Sequence, residues 1–457
     1  MRRSRFEEKL ALLPGLAALF LGGCSLDVVS GLVSHNLCSE VFVSGLEPER
    51  AWAESLAPRP GMGLVGWAIQ REVDAERGEV TASLRGAFEE RAIHRPGLGC
   101  LVVHGEPPAA VAAPPAISAP ALLPELAGPA VSEPSDERLR SALDAAFAEP
   151  EHGPARRTRA VVVVRDGHII AERYARGVGV DTPLLGYSAT KSVVSALIGI
   201  LVRDGHLAVD APAPVPAWSA PDDPRHAITV DQLLRMTSGL ELAESGSPWS
   251  PVARMLYRER DMAAFAASAR LGARPGAEWA YTSGGTLLLS GILRDAVGGT
   301  GEAVLRFARQ ELFAPLGMRS AILELDATGT PVGSTYLLAS ARDWARFGLL
   351  VLDDGVAGGR RILPEGWVRY ATTPTLDTGY GAGFWTNRVP GKIPLSPVSW
   401  GIPDAPSDTF FARGLLGQYV VVVPSRRLVV VRLGASSGPD GDIEGIGRLV
   451  ADVIGAW

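Results

Sequence analysis

Tyr187-Ser-Ala-Thr-Lys191 opens a run of mostly apolar residues that continues to Val202. The run is apolar nearly all round, which predicts a buried helix rather than an amphipathic one. Ser188 and Lys191 stand three residues apart, so on such a helix they share one face, with Cβ atoms about 5–6 Å apart. A serine within reach of a lysine amine is a candidate nucleophile–base pair. Burial disfavours the charged ammonium form of lysine, which suits a general base.

The chain offers few other bases for Ser188. Lysine is scarce, since only Lys9, Lys191 and Lys392 occur among 44 basic residues, and arginine cannot give up its proton. Histidine is absent after residue 226, which disfavours a Ser-His-Asp triad. A Gly-x-Ser-x-Gly sequence at 434–438 resembles a nucleophile elbow, but that fold requires a later histidine, and none of the residues after 438 is one. We therefore interpret 434–438 as a turn.

Charge and composition exclude several classes of function. The net charge is −6 and basic residues do not cluster, which argues against nucleic-acid binding. The seven histidines and three cysteines show no metal-ligand spacing, so we expect neither a metal site nor another cofactor.

The N-terminal 24 residues have the organisation of an export signal. Arginines at positions 2, 3 and 5 precede an apolar stretch, Leu10–Leu21, that ends in Gly22-Gly-Cys24. This order is typical of a secretory signal, and the cysteine resembles that of a bacterial lipobox, which makes Cys24 a candidate for lipidation. An uncleaved membrane anchor is the alternative. Either reading predicts an exported protein, periplasmic or attached to the membrane through its N-terminus.

Composition divides the remainder into three parts. Residues 36–105 form a small N-terminal module that contains Cys38 and Cys100, and in an exported protein this pair predicts a disulfide; two buried free thiols are the alternative. Residues 106–135 are rich in proline and alanine, which indicates a semi-rigid extended linker. Residues 136–457 are the expected catalytic domain.

The strands of that domain come from its two ends. Residues 160–164 and 169–174 flank an Asp166-Gly167 turn, and residues 418–424 and 428–433 flank a second turn. Helical patterns lie between the two hairpins. This order predicts an α/β fold of the α+β type, an antiparallel sheet flanked by helices with a helical subdomain.

Two later segments could complete a site around Ser188. Tyr281-Thr-Ser283 brings a phenol and a hydroxyl to the beginning of a helix, and glycines in Ala412–Gln418 let backbone approach a ligand closely. Each segment taken alone is more often structural than functional.

Taken together and in this order, the three segments resemble the serine β-lactamase and penicillin-binding-protein superfamily. Within it the chain is most similar to the class C-related serine hydrolases, a group that includes 6-aminohexanoate-dimer hydrolase and several esterases. Ser188-x-x-Lys191, Tyr281-x-Ser283 and Gly414-x-x-Gly-Gln418 match the three motifs of that group. The resemblance covers roughly residues 136–457. It implies a β-lactamase/transpeptidase-like fold and an acyl-enzyme mechanism.

The resemblance assigns roles to individual residues. It implies that Ser188 forms the acyl-enzyme, that Lys191 and Tyr281 transfer protons, and that the backbone N–H groups of Ser188 and Leu415 form the oxyanion hole. Substrate contacts are assigned more loosely. The candidates are Ser283, Arg413, Gly414, Tyr257 and Trp385, of which the last two could equally be core residues.

One departure from the family pattern limits the substrates that we expect. Penicillin-recognising relatives carry Lys-Thr-Gly where this chain has Ala412-Arg413-Gly414, so the lysine that helps hold an antibiotic's carboxylate is missing. Arg413 could replace it, although strand alternation would turn its side chain away. We therefore predict an exported serine hydrolase that cleaves small esters or amides. The alternatives are a β-lactamase or cell-wall D-Ala peptidase, and a non-catalytic binding or scaffold protein of the same fold.

Overall fold

A computed structural model describes the backbone of most of the chain and its side chains from residue 26 onward. The described ranges are 13–116, 120–245, 247, 249–389 and 401–457. The predicted basic segment before residue 13, the side chain of Cys24 and Lys392 lie outside them. Export, lipidation and membrane attachment therefore stay predictions. In the described part of the chain, no helix combines the length and apolar character that crossing a bilayer requires.

The described residues form fourteen α-helices and fifteen strands. The α-helices are α1 (Leu13–Cys38), α2 (Pro48–Ala51), α3 (Met62–Val65), α4 (Glu137–Phe147), α5 (Thr190–Arg203), α6 (Val230–Leu234), α7 (Pro251–Arg258), α8 (Met262–Ala267), α9 (Ser283–Ala296), α10 (Gly301–Ala308), α11 (Ala314–Leu316), α12 (Ala341–Leu352), α13 (Trp367–Ala371) and α14 (Ile443–Gly455). The strands are β1 (Ile69–Asp74), β2 (Glu79–Leu84), β3 (Ala87–Arg95), β4 (Gly99–Val102), β5 (Thr158–Arg165), β6 (His168–Tyr174), β7 (Leu184–Leu185), β8 (Ile322–Leu323), β9 (Leu337–Ala339), β10 (Val356–Ala357), β11 (Arg360–Arg361), β12 (Trp385–Thr386), β13 (Phe410–Gly414), β14 (Gln418–Val423) and β15 (Leu428–Gly434).

Residues 136–457, which we call the catalytic half, contain a six-stranded antiparallel sheet in the order β12-β13-β14-β15-β5-β6. Both predicted hairpins are present, as β5–β6 and β14–β15, and they become neighbours because β15 pairs with β5. Helices α4 and α14 pack against each other on one face of the sheet, while α12 packs against β14 and β15. The predicted α/β fold with an antiparallel sheet is confirmed.

Helix α5 is buried on all sides, as its apolar sequence predicts. Every residue from Thr190 to Leu201 is buried. A helix surrounded by protein cannot shift without disturbing the core, so it holds Lys191 in a fixed position.

The N-terminal region is a four-stranded antiparallel sheet, in the order β1-β2-β3-β4, that packs against α1. A disulfide joins Cys38 at the end of α1 to Cys100 in β4. The apolar core of this region includes Val29 and Val33, so it begins before residue 36. Val28 of the same helix packs instead into the large core of the catalytic half.

The proline-rich segment at 106–135 contains neither helix nor strand in its described residues, but it does not span a gap as a linker would. Leu123 and Leu126 are buried against the catalytic half, and the backbone is hydrogen-bonded to it, from the Leu122 N–H to the Pro315 carbonyl oxygen and from the Ile169 N–H to the Leu126 carbonyl oxygen. Proline has no N–H but keeps its carbonyl oxygen as an acceptor. Arginines of the catalytic half use such acceptors: Arg309 donates to the Pro115 carbonyl and Arg346 to the Pro124 carbonyl.

Asp343 makes the stability of the fold sensitive to pH. Its carboxylate, at the start of α12, is buried and accepts hydrogen bonds from the N–H and hydroxyl of Ser320 at 2.7 and 2.6 Å. Burial outweighs these bonds and raises the pKa of Asp343 to about 6. Because the native state holds this proton more tightly than the unfolded chain does, the contribution of Asp343 to stability falls as pH rises from about 4 to about 6.

We expect Asp343→Asn to remove this dependence. Asparagine keeps an acceptor oxygen for Ser320 and carries no charge, so the free energy of unfolding of the variant, relative to the wild type, should rise by about 2–3 kcal/mol between pH 4 and pH 7. Urea unfolding at both pH values measures the difference. Asp377→Asn, at an exposed site, is the control and should follow the wild type. Parallel pH curves for Asp343→Asn and the wild type would contradict the assignment.

Candidate active site

Lys191 is the centre of the site. Its ammonium group is buried and donates to three oxygens: Ser188 Oγ at 3.1 Å, Ser283 Oγ at 3.1 Å and the carbonyl oxygen of Ser334 at 2.9 Å. An ammonium group has three donors, so these contacts account for all of them. The amine is therefore held in one orientation between two hydroxyl groups.

Ser188 lies at the rim of the site. It occupies the 3₁₀ turn Tyr187–Ala189 immediately before α5, one turn ahead of Lys191, and its side chain is half-buried. A substrate can therefore reach its hydroxyl, whereas the lysine below is shielded from water. The backbone of Tyr187 has a φ of +46°, which non-glycine residues rarely adopt.

The sequence pattern predicts that Tyr281-Thr-Ser283 lies where a loop leads into a helix, and α9 begins at Ser283 itself. Its hydroxyl is buried against Lys191, and its N–H donates to the carboxylate of Glu244. The side chain of Thr282 caps the helix by accepting from the N–H of Gly284. This cap places Ser283 at the first position of α9, where its side chain reaches Lys191.

Tyr281 lies beside the lysine. Its ring centroid is 5.0 Å from Lys191 Nζ, close enough for a cation–π attraction. The same ring is 5.7 Å from Trp385, 6.2 Å from Trp279 and 5.9 Å from Tyr380. Trp385, a predicted pocket residue, therefore belongs to a cluster of four aromatic rings beside the site.

The end of β13 lies against the nucleophile turn. A Cβ atom added to Gly414 would be 2.2 Å from the carbonyl oxygen of Gly186 and 3.2 Å from the Ala189 nitrogen, so only glycine fits there. This contact brings Leu415 close to Ser188. Among the described residues, the N–H groups of Ser188 and Leu415 donate to no protein acceptor. Two such groups beside one hydroxyl are what an oxyanion hole requires.

The guanidinium group of Arg413 is held by other protein groups. One guanidinium nitrogen donates to the carbonyl oxygen of Asp440 at 2.6 Å. The guanidinium carbon lies 5.9 Å from the Trp385 ring and 5.8 Å from the Tyr419 ring. Ala412, at the position of the missing lysine, is buried.

Tyr257 is placed elsewhere. It is buried in α7, where its backbone is so close to Gly31 of α1 that a Cβ atom at that glycine would be 2.7 Å from the Tyr257 carbonyl oxygen. The structure thus brings together Ser188, Lys191, Tyr281, Ser283 and Trp385, with Gly414 and Leu415 facing the nucleophile turn, and leaves Tyr257 beneath the N-terminal helix.

The structure adds residues that the sequence did not single out. Ser334 contributes a main-chain carbonyl, which no side-chain pattern can signal. Trp279 stands two residues before Tyr281, so its proximity could have been foreseen, whereas Tyr380 and Glu244 had no such signal. Within the described ranges, no three His, Cys, Asp or Glu side chains are grouped as a metal site would require.

The geometry agrees with comparisons to known proteins. A family model described as Beta-lactamase matches residues 143–454. The chain belongs to this family. The 6-aminohexanoate-dimer hydrolase of Paenarthrobacter ureafaciens is 27% identical over 302 residues, which are 62% of this chain and 74% of that enzyme. Together with the family match, this relative shows that the chain is a hydrolase of the β-lactamase fold.

Solved structures support the fold of this β-lactamase-family protein. A putative 6-aminohexanoate-dimer hydrolase from Bacillus anthracis superposes with a TM-score of 0.54 at 22% identity, over 71% of this chain and 85% of the other. A family VIII carboxylesterase gives a TM-score of 0.54 at 16% identity, over 72% and 99%. A penicillin-binding-protein homologue from Caulobacter crescentus gives 0.55 at 18% identity, over 72% and 100%.

Proposed function

We propose that this protein is a serine hydrolase that cleaves small esters or amides through an acyl-Ser188 intermediate. The observation that supports this most directly is the position of the Lys191 amine, 3.1 Å from the Ser188 hydroxyl oxygen and locked there by two further oxygens. That distance is within hydrogen-bond reach, as proton transfer from a nucleophile to its base requires.

The reaction proceeds in two halves. As a neutral amine, Lys191 keeps two N–H donors for Ser283 Oγ and the Ser334 carbonyl oxygen and directs its lone pair at Ser188 Oγ. It accepts the Ser188 proton while Oγ attacks the acyl carbon, and the N–H groups of Ser188 and Leu415 stabilise the resulting oxyanion. The tetrahedral intermediate collapses, and the leaving oxygen or nitrogen takes a proton from the Lys191–Tyr281 pair. Water then attacks the acyl-enzyme and gives a proton to the same pair. The pair returns this proton to Ser188 Oγ as the Oγ–acyl bond breaks, which releases the acid and restores the free enzyme.

The surroundings favour esters and linear amides over penicillins. Ala412 supplies no cation, and Arg413 binds the Asp440 carbonyl group. Trp279 and Tyr281 are the two partly exposed rings of the aromatic cluster, and they suit an apolar acyl or leaving group, while the buried rings of Tyr380 and Trp385 pack against them. An amide hydrolase is among the relatives of this chain, and a carboxylesterase is among its structural neighbours.

Active-site labelling and a substrate panel test the proposal. A fluorophosphonate should modify the enzyme with a stoichiometry of one, and peptide mass spectrometry should locate the adduct on Ser188. The panel contains p-nitrophenyl esters of increasing acyl length, the linear dimer of 6-aminohexanoate, and nitrocefin. We expect an ester or the linear amide to have the highest kcat/KM. An adduct on another residue would refute the mechanism, and nitrocefin as the best substrate would indicate a β-lactamase instead.

A further inference from the structure

The residue before the nucleophile is held by the N-terminal region. The hydroxyl of Tyr187 accepts a hydrogen bond from Arg59 Nη2 at 2.8 Å and donates one to Asn36 Oδ1 at 3.2 Å. Arg59 Nη2 also donates to Asn36 Oδ1 at 3.0 Å, which closes a triangle. Burial raises the pKa of Tyr187 to about 12, so its hydroxyl keeps the proton that it donates. We call these three side chains the Tyr187 clamp.

The clamp holds a strained backbone. Tyr187 adopts a φ of +46°, a conformation that costs a non-glycine residue of order 1–3 kcal/mol and persists only where the surroundings hold it. On its N-terminal side, Gly186 donates to the Leu337 carbonyl oxygen at 2.8 Å. On its C-terminal side is Ser188. The direction of the Ser188 hydroxyl and N–H therefore depends on the conformation that the Tyr187 side chain enforces.

The clamp is itself firmly anchored. Arg59 Nε donates to the Ser55 carbonyl oxygen at 2.8 Å, and the Ser55 hydroxyl donates to the buried Glu40 carboxylate at 2.9 Å. Arg159 of β5 donates to the same carboxylate at 3.2 Å. Asn36 precedes the disulfide residue Cys38 by two positions on α1. The N-terminal region thus connects the central sheet to Tyr187 through buried polar groups, where poorly satisfied partners would be costly.

We propose that Asn36 and Arg59 are positioning residues for Ser188, so that the N-terminal region completes the active site rather than being an appended module. The family match begins at residue 143, so both residues lie outside the part of the chain that the family shares. The inference rests on the proposed function, because it concerns the same nucleophile. Neither residue contacts the substrate in this scheme; they act through Tyr187.

Two variants and a matched control test the clamp. Tyr187→Phe removes only the Tyr187 hydroxyl, and Arg59→Met removes the guanidinium group that donates to this hydroxyl. We expect each to lower kcat for the best ester by about tenfold or more while KM changes less than about twofold, because a misplaced nucleophile slows acylation without weakening binding. The Tyr187→Phe/Arg59→Met double variant should lose no more kcat than Arg59→Met alone. Arg59→Lys, which keeps a donor, should recover part of the loss.

Arg157→Met is the control. Arg157 joins the same two regions through a bond from Nη1 to the Glu54 carbonyl oxygen at 2.7 Å, but it does not contact Tyr187. Its kcat should stay within about twofold of the wild type. If kcat fell in Arg59→Met and Arg157→Met alike, by amounts that follow the fall in Tm of each variant, the positioning role of Arg59 would be overturned. Wild-type kcat in Tyr187→Phe would also overturn it. Absence of Ser188-dependent hydrolysis in the wild type would instead refute the proposed function itself.

Discussion

Ser188→Ala and Lys191→Met are each expected to lower kcat/KM by about 10⁴-fold or more, since a nucleophile and its base act as one unit. Without the lysine, the Ser188 hydroxyl has no base at 3.1 Å. Without the serine, the lysine has no nucleophile to activate. The Ser188→Ala/Lys191→Met double variant should therefore lose no more activity than either single variant. Additive losses would show that the two residues act independently.

Steady-state rates with the best ester, together with fluorophosphonate labelling, measure this effect. Lys191→Arg is the informative companion, because arginine keeps the positive charge but cannot accept a proton. If Lys191 acted only as a fixed cation, Lys191→Arg would retain substantial activity and would contradict the base assignment. Thermal unfolding of each variant separates catalysis from folding, since Lys191→Met leaves Ser283 and the Ser334 carbonyl without their buried donor.

Local signals in the sequence are sufficient to predict part of this site. The spacing of Ser188 and Lys191 and the apolar run behind them depend only on helix geometry, which tertiary contacts did not alter. The Asp166-Gly167 turn predicts the β5–β6 hairpin for the same reason. Segments whose order resembles a known family extended the prediction to Tyr281 and Gly414, which the structure places beside the lysine and the nucleophile turn.

Other features depend on contacts between distant parts of the chain. Asn36 and Tyr187 are 151 positions apart, and nothing in either local sequence indicates that they meet. The Ser334 oxygen belongs to the main chain, so its residue type carries no signal. Composition alone predicts a linker for the proline-rich segment at 106–135. Composition records the missing N–H groups, but not the arginines elsewhere in the chain that bind the remaining carbonyls.

Gly414→Ala is expected to lower kcat by about 10²-fold, the cost of losing one oxyanion-hole donor. The methyl group would lie 2.2 Å from the Gly186 carbonyl oxygen, which is fixed by the hydrogen bond from the Gly186 N–H to Leu337. Backbone on both sides of this contact cannot give way as a flexible side chain could. The end of β13 must therefore move away from the nucleophile turn, and the Leu415 N–H moves with it.

A second glycine distinguishes loss of the oxyanion hole from general damage to the fold. Gly348→Ala, in α12, would put a methyl group 2.5 Å from a Val429 side-chain carbon in the core, and Val429 is in register with Phe410, at the opposite end of β13 from Gly414. Such overpacking typically costs about 1–3 kcal/mol, so its Tm should fall while kcat stays within about twofold of the wild type. Gly414→Ala should lose far more kcat than Gly348→Ala for the same loss of Tm. If the two variants lost activity in proportion to stability, the Leu415 N–H would have no special role. If Gly414→Ala alone also slowed fluorophosphonate labelling of Ser188, the lost donor would be one that stabilises the acylation transition state.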